Sequence, residues 1–244
     1  MRIAGVQPGY NSKSQLKITI SKENYLKTIA EAESEGEVVI AATLARWLKV
    51  SAPAVTMAIK RLKRDGLIVV AKEGQIGLAP EGREIAMHIL NRHHLIERML
   101  TEIFGMEWFM VHDEAEQLEH AVSAEFEQRL MEKLGTEADC PHGNQRELDT
   151  PAARRERGYL PLNEVPVNTA AQVVSVYERD RQLLEYLHAL GIRPGSLLEI
   201  TARNYDDTLT LRINQTAVPL GKAAAIKVWA KTLDAAPEAP ALRK

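Results

Sequence analysis

The sequence predicts a mostly α chain with a β-rich end: an N-terminal winged helix-turn-helix, a helical middle domain and a small C-terminal β-barrel. Three observations predict it. Residues 20–80 hold short helical patterns, the last of them basic, followed by a hairpin pattern. Residues 81–134 keep a helical apolar period through two long amphipathic stretches. Beyond residue 162 the period switches to two, in short runs within about 70 residues, as small barrels require.

The 244 residues can hold two or three small domains, each with its own core. One cysteine, Cys140, excludes an internal disulfide framework. No apolar run approaches a membrane span, and "MRIAGVQPGYNSKSQLK" lacks the continuous apolar segment of a signal peptide. The expected compartment is the cytoplasm, with no membrane partner.

The elements follow in order. Residues 1–19 read as a flexible arm. A helix starts near Ser21, its expected N-cap, carries Tyr25, Leu26, Ile29 and Ala30 inward, and stops at "ESEGE". "IAATLARWLKV" gives a short helix with Leu44, Ala45 and Leu48 inward. "SAPAVTMAIKRLKRDG" gives the next, with Ser51 as N-cap, Pro53 in the first turn and Gly66 as stop. "LIVVAKEGQIGLA" reads as a hairpin turning at residues 72–74, which closes a domain at residue 80. Residues 81–104 and 111–134 each read as one long helix, in a domain spanning 81–139. Residues 140–161, "CPHGNQRELDTPAARRERGYLP", read as a polar linker. In 162–234, "AAQVVSVYE", "SLLEITARN", "TLTLRIN" and "AAAIKVWAKTL" read as strands around one helix, "RDRQLLEYLHAL". A disordered tail is expected over 235–244.

Charge is unevenly spread. Residues 1–80 hold 12 basic and 7 acidic side chains, 81–139 hold 5 and 14, and 140–244 hold 14 and 12. A basic front suits a polyanion and an acidic middle suits cations. On the basic helix Val55, Ile59 and Leu62 face inward. Ser51, Pro53, Ala54, Thr56, Met57, Lys60, Arg61 and Arg64, with Lys63, are left for a groove. Small residues at the helix start permit close approach to base edges, and the later cations reach phosphates. A solvated basic helix on another scaffold is the plainer reading. The preceding helix and the wing favour double-stranded DNA.

"VHDEAEQLEH" crowds six ionisable side chains into ten positions. Residues three, four and seven apart share a helix face, so His112, Glu116, Glu119 and His120 form one stripe. Imidazole with carboxylate suits a divalent transition metal; a solvated acidic face is the alternative. His93 and Glu97, four apart, can face that stripe and supply a second set of donors. His88, His94 and His188 read as surface or core fillers. A dinuclear metallohydrolase is a rival from another class, since such helices also build catalytic sites. It leaves the winged helix unexplained.

"NRHHLIERML" followed by "VHDEAEQLEH" resembles the metal-ligand segments of the diphtheria toxin repressor family of metal-dependent repressors. "SAPAVTMAIKRLKRDGLIVV" and "LAPEGREIA" resemble its winged helix, and "GIRPGSLLEI" with its flanking strands is similar to the SH3-like domain of the longer members. The likeness covers residues 20–234. It implies a homodimeric repressor of metal-transport genes on a palindromic DNA operator. It places an ancillary metal site on Glu97 and His112, with His93 shared or adjacent, and a primary site on Glu116, Glu119 and His120. Iron-selective members resemble one another in a sulfur ligand at position 116; Glu116 implies manganese, with iron(II) as the alternative. Cys140 resembles a ligand of some manganese-type members, and a buried structural thiol is its other reading. Asn24 stands where the family uses Asp or Met as a ligand, and Lys27 where some short manganese regulators carry Glu.

Overall fold

The computed structural model describes residues 18–135, 138–145 and 149–233. Most of the expected arm and the whole expected tail lie outside these residues.

The first three helices are α1 (Ile20–Ser34), α2 (Ala41–Leu48) and α3 (Ala52–Arg64). The N-cap of α1 is Thr19 rather than Ser21, its side-chain oxygen accepting from the Lys22 amide. Strands β1 (Ile68–Val70) and β2 (Ile76–Leu78) pair antiparallel as the wing, and Gly74 takes the positive φ their turn needs. Leu26, Ile29, Leu44, Trp47, Val55 and Leu62 fill the core. Ala45 and Leu48, expected inward, are only partly buried, because α2 turns Leu44 and Trp47 to the core; Ile59 on α3 is also only partly buried, where Val55 and Leu62 are the buried pair.

Helix α4 (Pro80–Arg98) continues as a π-helical turn, Met99–Ile103, matching the expected helix over 81–104. Gly82 lets it lie on the wing: a Cβ there would stand 1.9 Å from the Leu67 carbonyl oxygen. The single helix expected over 111–134 is two, α5 (Val111–Leu118) and α6 (Ala124–Leu134). Ser123 starts the second, its hydroxyl accepting from the Phe126 amide at 3.2 Å. The break leaves Glu119 and His120 at a helix end, where they can turn toward α1.

The linker reading of 140–161 is also corrected. Cys140 and His142 are buried, and helix α7 (Pro151–Glu156) and strand β3 (Tyr159–Pro161) lie within the stretch. Then come β4 (Thr169–Val176), α8 (Arg181–Ala189), β5 (Leu197–Arg203), β6 (Leu209–Ile213), β7 (Thr216–Leu220), α9 (Lys222–Ala225) and β8 (Val228–Thr232). The six strands form one antiparallel sheet in the order β3-β8-β4-β5-β6-β7. The run "AAAIKVWAKTL" is thus part helix, part strand. Strand β7 was not among the expected runs; it contains Pro219, and as an edge strand it tolerates a residue with no N–H to donate. Asn214 and Gln215, both at positive φ, make the β6–β7 turn.

Trp108, on the connection between α4 and α5, is buried in the core of this barrel, and its Nε1–H donates to His188 Nδ1 at 3.1 Å. The barrel is therefore packed on the helical domain. Among the described residues no helix is long and apolar enough to cross a membrane.

Candidate metal centre

Helix α4 presents His93, His94 and Glu97 on neighbouring turns, and α5 presents His112 and Glu116 to them. Glu97 Oε1 lies 3.0 Å from His93 Nε2, 3.2 Å from His112 Nδ1 and 3.3 Å from His142 Nδ1. Glu178, which follows β4, brings Oε2 to 3.5 Å from His142 Nδ1 and Oε1 to 3.9 Å from His112 Nδ1. Cys140 Sγ stands 3.8 Å from Glu178 Oε2 and 4.0 Å from His142 Nδ1. His93, His94, Glu97, His112, Cys140, His142 and Glu178 are buried, whereas Glu116 is exposed.

The loop carrying Cys140 and His142 is held against the barrel. The Val176 amide donates to the His142 carbonyl, and Asn144 Nδ2 donates to Glu178. Gly143 takes φ +79, and a Cβ on it would meet the Val174 carbonyl oxygen at 2.0 Å.

This donor set fits a divalent transition metal. Atoms about 2.1 Å from a shared ion stand roughly 3.0–3.4 Å from one another, the spacing found around Glu97 Oε1. Buried polar atoms without partners otherwise cost free energy, yet Glu97 Oε2, His94 Nδ1 and His142 Nε2 have no hydrogen-bond partner. Burial opposes the charge on Glu97, but His142 and His93 hold its carboxyl well below the usual range. Burial, with Glu97 and Glu178 nearby, pushes the Cys140 thiol well up, so a bound cation is what would favour its thiolate.

A second cluster adjoins the first. His93 Nδ1 lies 2.6 Å from Glu119 Oε2, and Lys27 Nζ donates to that oxygen at 2.7 Å. Lys27 Nζ is also 3.1 Å from His93 Nδ1 and 3.9 Å from Glu116 Oε1. His112 Nε2 is 3.8 Å from Glu116 Oε1. His120 Nε2 lies 2.6 Å from Asn24 Oδ1 and 3.4 Å from Glu119 Oε1, and its Nδ1 lies 2.9 Å from Glu23. His93 and His112 each turn one ring nitrogen to one cluster and the other nitrogen to its neighbour. Burial works against the ammonium of Lys27, but Glu31, Glu119 and Glu116 outweigh it and raise its pKa. A cavity of about 430 Å³ lined by Asn24, Lys27, Trp47, Glu116, His120 and Arg179 opens this second cluster to solvent.

All eight candidate ligands read from the sequence fall in these two clusters. Asp113, exposed, lies off them, 3.7 Å from Arg181. His94, His142, Glu178 and Glu23 were missed. His142 was legible as Cys-x-His beside a glycine, and His94 as the neighbour of a ligand. Glu178 follows a strand far along the chain and carries no local signal.

Beyond the contacts of Glu23, Asn24 and Lys27 on α1, one arginine, and one ion pair within the DNA-binding region, extend the link toward α2 and α3. Arg179, at the start of the barrel's helical segment, donates to Glu31 of α1 at 2.5 Å and to Glu116 at 3.3 Å, with its guanidinium 4.9 Å above the Trp47 ring of α2. Lys22 of α1 pairs at 2.9 Å with Asp65, the C-cap of α3. On α3, Pro53, Ala54, Thr56, Met57, Lys60, Arg61 and Arg64 are exposed, as is Ser51 before it, while Val55 and Leu62 are buried.

Three family models match in series: the iron-dependent repressor N-terminal DNA-binding domain over residues 17–76, the iron-dependent repressor metal-binding and dimerisation domain over 79–147, and the FeoA domain over 160–231. The diphtheria toxin repressor of Corynebacterium glutamicum is 36% identical over 190 residues, covering 73% of this chain and 82% of that protein. That of Corynebacterium diphtheriae is 34% identical over 208 residues, covering 81% and 91%. A manganese-dependent transcriptional repressor solved in complex with manganese superposes with a TM-score of 0.78 at 31% identity, over 87% of this chain and all of that one. These repressors bind DNA rather than catalyse a reaction, so the hydrolase reading falls. A winged helix, two metal-ready clusters on facing helices and a packed FeoA-type barrel, matched in that order along the sequence, place the chain in the diphtheria toxin repressor family of metal-dependent transcriptional repressors.

Proposed function

We propose that this chain is a manganese-activated homodimeric repressor that binds a palindromic operator and controls metal-ion transport genes in the cytoplasm. The carrying observation is the oxygen-rich cluster of Glu116, Glu119 and Asn24 with His120, built partly on α1 of the winged helix. Oxygen donors suit manganese, and position 116 offers no sulfur to a softer ion. The similarity to a manganese-dependent repressor solved with manganese supports this reading. Iron(II) is the second reading, favoured by the iron-dependent family models and by a thiol at the other cluster.

In this mechanism Glu97, His93, His112, His142, Cys140 and Glu178 would hold one ion, and Glu116, Glu119, His120 and Asn24 would hold the other. Bound ions would supply positive charge that the protein's own side chains otherwise provide. Asn24 and Lys22 sit on α1, so a change at Glu119 and His120 moves the helix that braces the end of α3. Filling the sites would thereby favour one placement of the winged helix. Ala54, Thr56 and Met57 then meet base edges, while Ser51, Lys60, Arg61 and Arg64 meet phosphates. The two-fold axis of a dimer sets half-sites one helical turn, or a multiple of it, apart.

The test is anaerobic binding to DNA selected in vitro by the metal-loaded protein, with manganese, iron(II), cobalt and zinc compared at equal free concentration. Manganese should activate at least as well as iron(II). Activation by iron(II) alone would transfer the assignment to iron.

A further inference from the structure

The cluster facing α1 already contains a cation. Lys27 is 3% exposed, and its Nζ sits 2.7 Å from Glu119 Oε2, 3.1 Å from His93 Nδ1 and 3.9 Å from Glu116 Oε1. Glu119 and Glu116 are two of the groups that would hold the primary ion, and His93 is the imidazole that joins it to the ancillary cluster. An ion and an ammonium cannot both occupy the space between them, because two positive charges a few ångströms apart in a buried site repel strongly. A buried lysine driven from its carboxylates would need another partner. One is in place. Glu31 lies one turn further along α1, its Oε1 3.7 Å from Lys27 Nζ, buried and without any hydrogen-bond partner, while its Oε2 is taken by Arg179.

We propose that Lys27 is a built-in competitor for the primary metal site: its ammonium holds the Glu119–His93 position in the metal-free protein and shifts to Glu31 Oε1 when an ion enters. Lys27 thus sets the metal concentration at which the primary site fills. The ancillary cluster, whose donors Lys27 touches only through His93, fills at a lower concentration. The unpartnered oxygen of Glu31 is explained as the second seat. Occupation of the primary site becomes a replacement of one cation by another, so it leaves the carboxylates neutralised in both states. The inference rests on the metal-activated reading for its biological use, not for its chemistry.

Manganese binding to the full-length protein, followed by calorimetry and by the paramagnetic resonance signal of free Mn²⁺, tests it. Lys27→Met and Lys27→Gln should each tighten the weaker class of sites at least tenfold and leave the tighter class within about threefold. Adding Glu119→Ala to either should abolish the tightened class. Glu31→Gln, which weakens the second seat, should loosen the weaker class in the otherwise unchanged protein. Lys49→Met, on the lining of the same cavity, removes an equal charge without vacating the site and should change affinity less than threefold. Unchanged or weaker binding in both Lys27 variants overturns the proposal, and so does tightening by Lys49→Met equal to theirs. A wild-type protein that binds manganese at both classes without gaining DNA affinity would sink the repressor reading and leave the role of Lys27 standing.

Discussion

His93 Nδ1 lies 2.6 Å from Glu119 Oε2, while Nε2 of the same ring lies 3.0 Å from Glu97 Oε1. One imidazole therefore belongs to both clusters, and neither can rearrange without turning it. His93→Ala should lower metal affinity at both classes of sites by tenfold or more, as measured by calorimetry. Asp113→Ala and Glu114→Ala, whose side chains lie outside both clusters, should change neither class by more than about twofold.

Gly143→Ala should damage the Cys140–His142 loop and little else. A Cβ at that position would sit 2.0 Å from the Val174 carbonyl oxygen, on a backbone already at φ +79. Clash and strain together cost on the order of 2 kcal/mol or more. The expected result is loss of the tighter class of metal sites with helical content intact by circular dichroism.

Trp108→Ala should loosen the barrel from the helical domain. It removes a buried ring and leaves His188 without its donor, costing about 3–5 kcal/mol if the space stays open. Glu178 sits on the barrel, so metal affinity should fall with stability. Proteolysis that releases the barrel as a fragment, faster in the variant, would show the separation.

The metal-free protein should lose stability at both ends of the pH scale through the same contact. Burial opposes ionisation of Glu119, but the His93 hydrogen bond and Lys27 pull it from 4.5 down to about 2. This stabilisation is present above pH 4.5 and is lost as pH falls toward 2. Burial and Lys27 oppose protonation of His93, but Glu97 and Glu119 outweigh them and raise it from 6.5 to about 9. That part is full below pH 6.5 and is lost as pH rises through 9. Urea midpoints of the wild type relative to His93→Gln should peak between about pH 4.5 and 6.5. A flat difference across pH would remove this account of the pair.

How much of this was legible depends on distance along the chain. The stripe of His112, Glu116, Glu119 and His120 is local, and helical spacing alone brings it together. Its continuation into one helix was misread, although Ser123 carried the cap signal that ends it. The exposed set on α3 followed from three apolar positions. Glu178 and Arg179 were invisible, because a carboxylate and a guanidinium after a strand say nothing about a docking more than 60 residues back at α5. Lys27 was read only as standing where some short manganese regulators carry Glu. Its contact with Glu119, 92 positions away, required the fold.

DNA binding with and without metal tests the central claim most directly. Fluorescence anisotropy on the selected operator should show manganese tightening wild-type binding roughly 150-fold, about 3 kcal/mol of coupling. Glu119→Ala should bind like the metal-free protein at every manganese concentration. Equal operator affinity for the chelated and the manganese-loaded wild type would contradict the account.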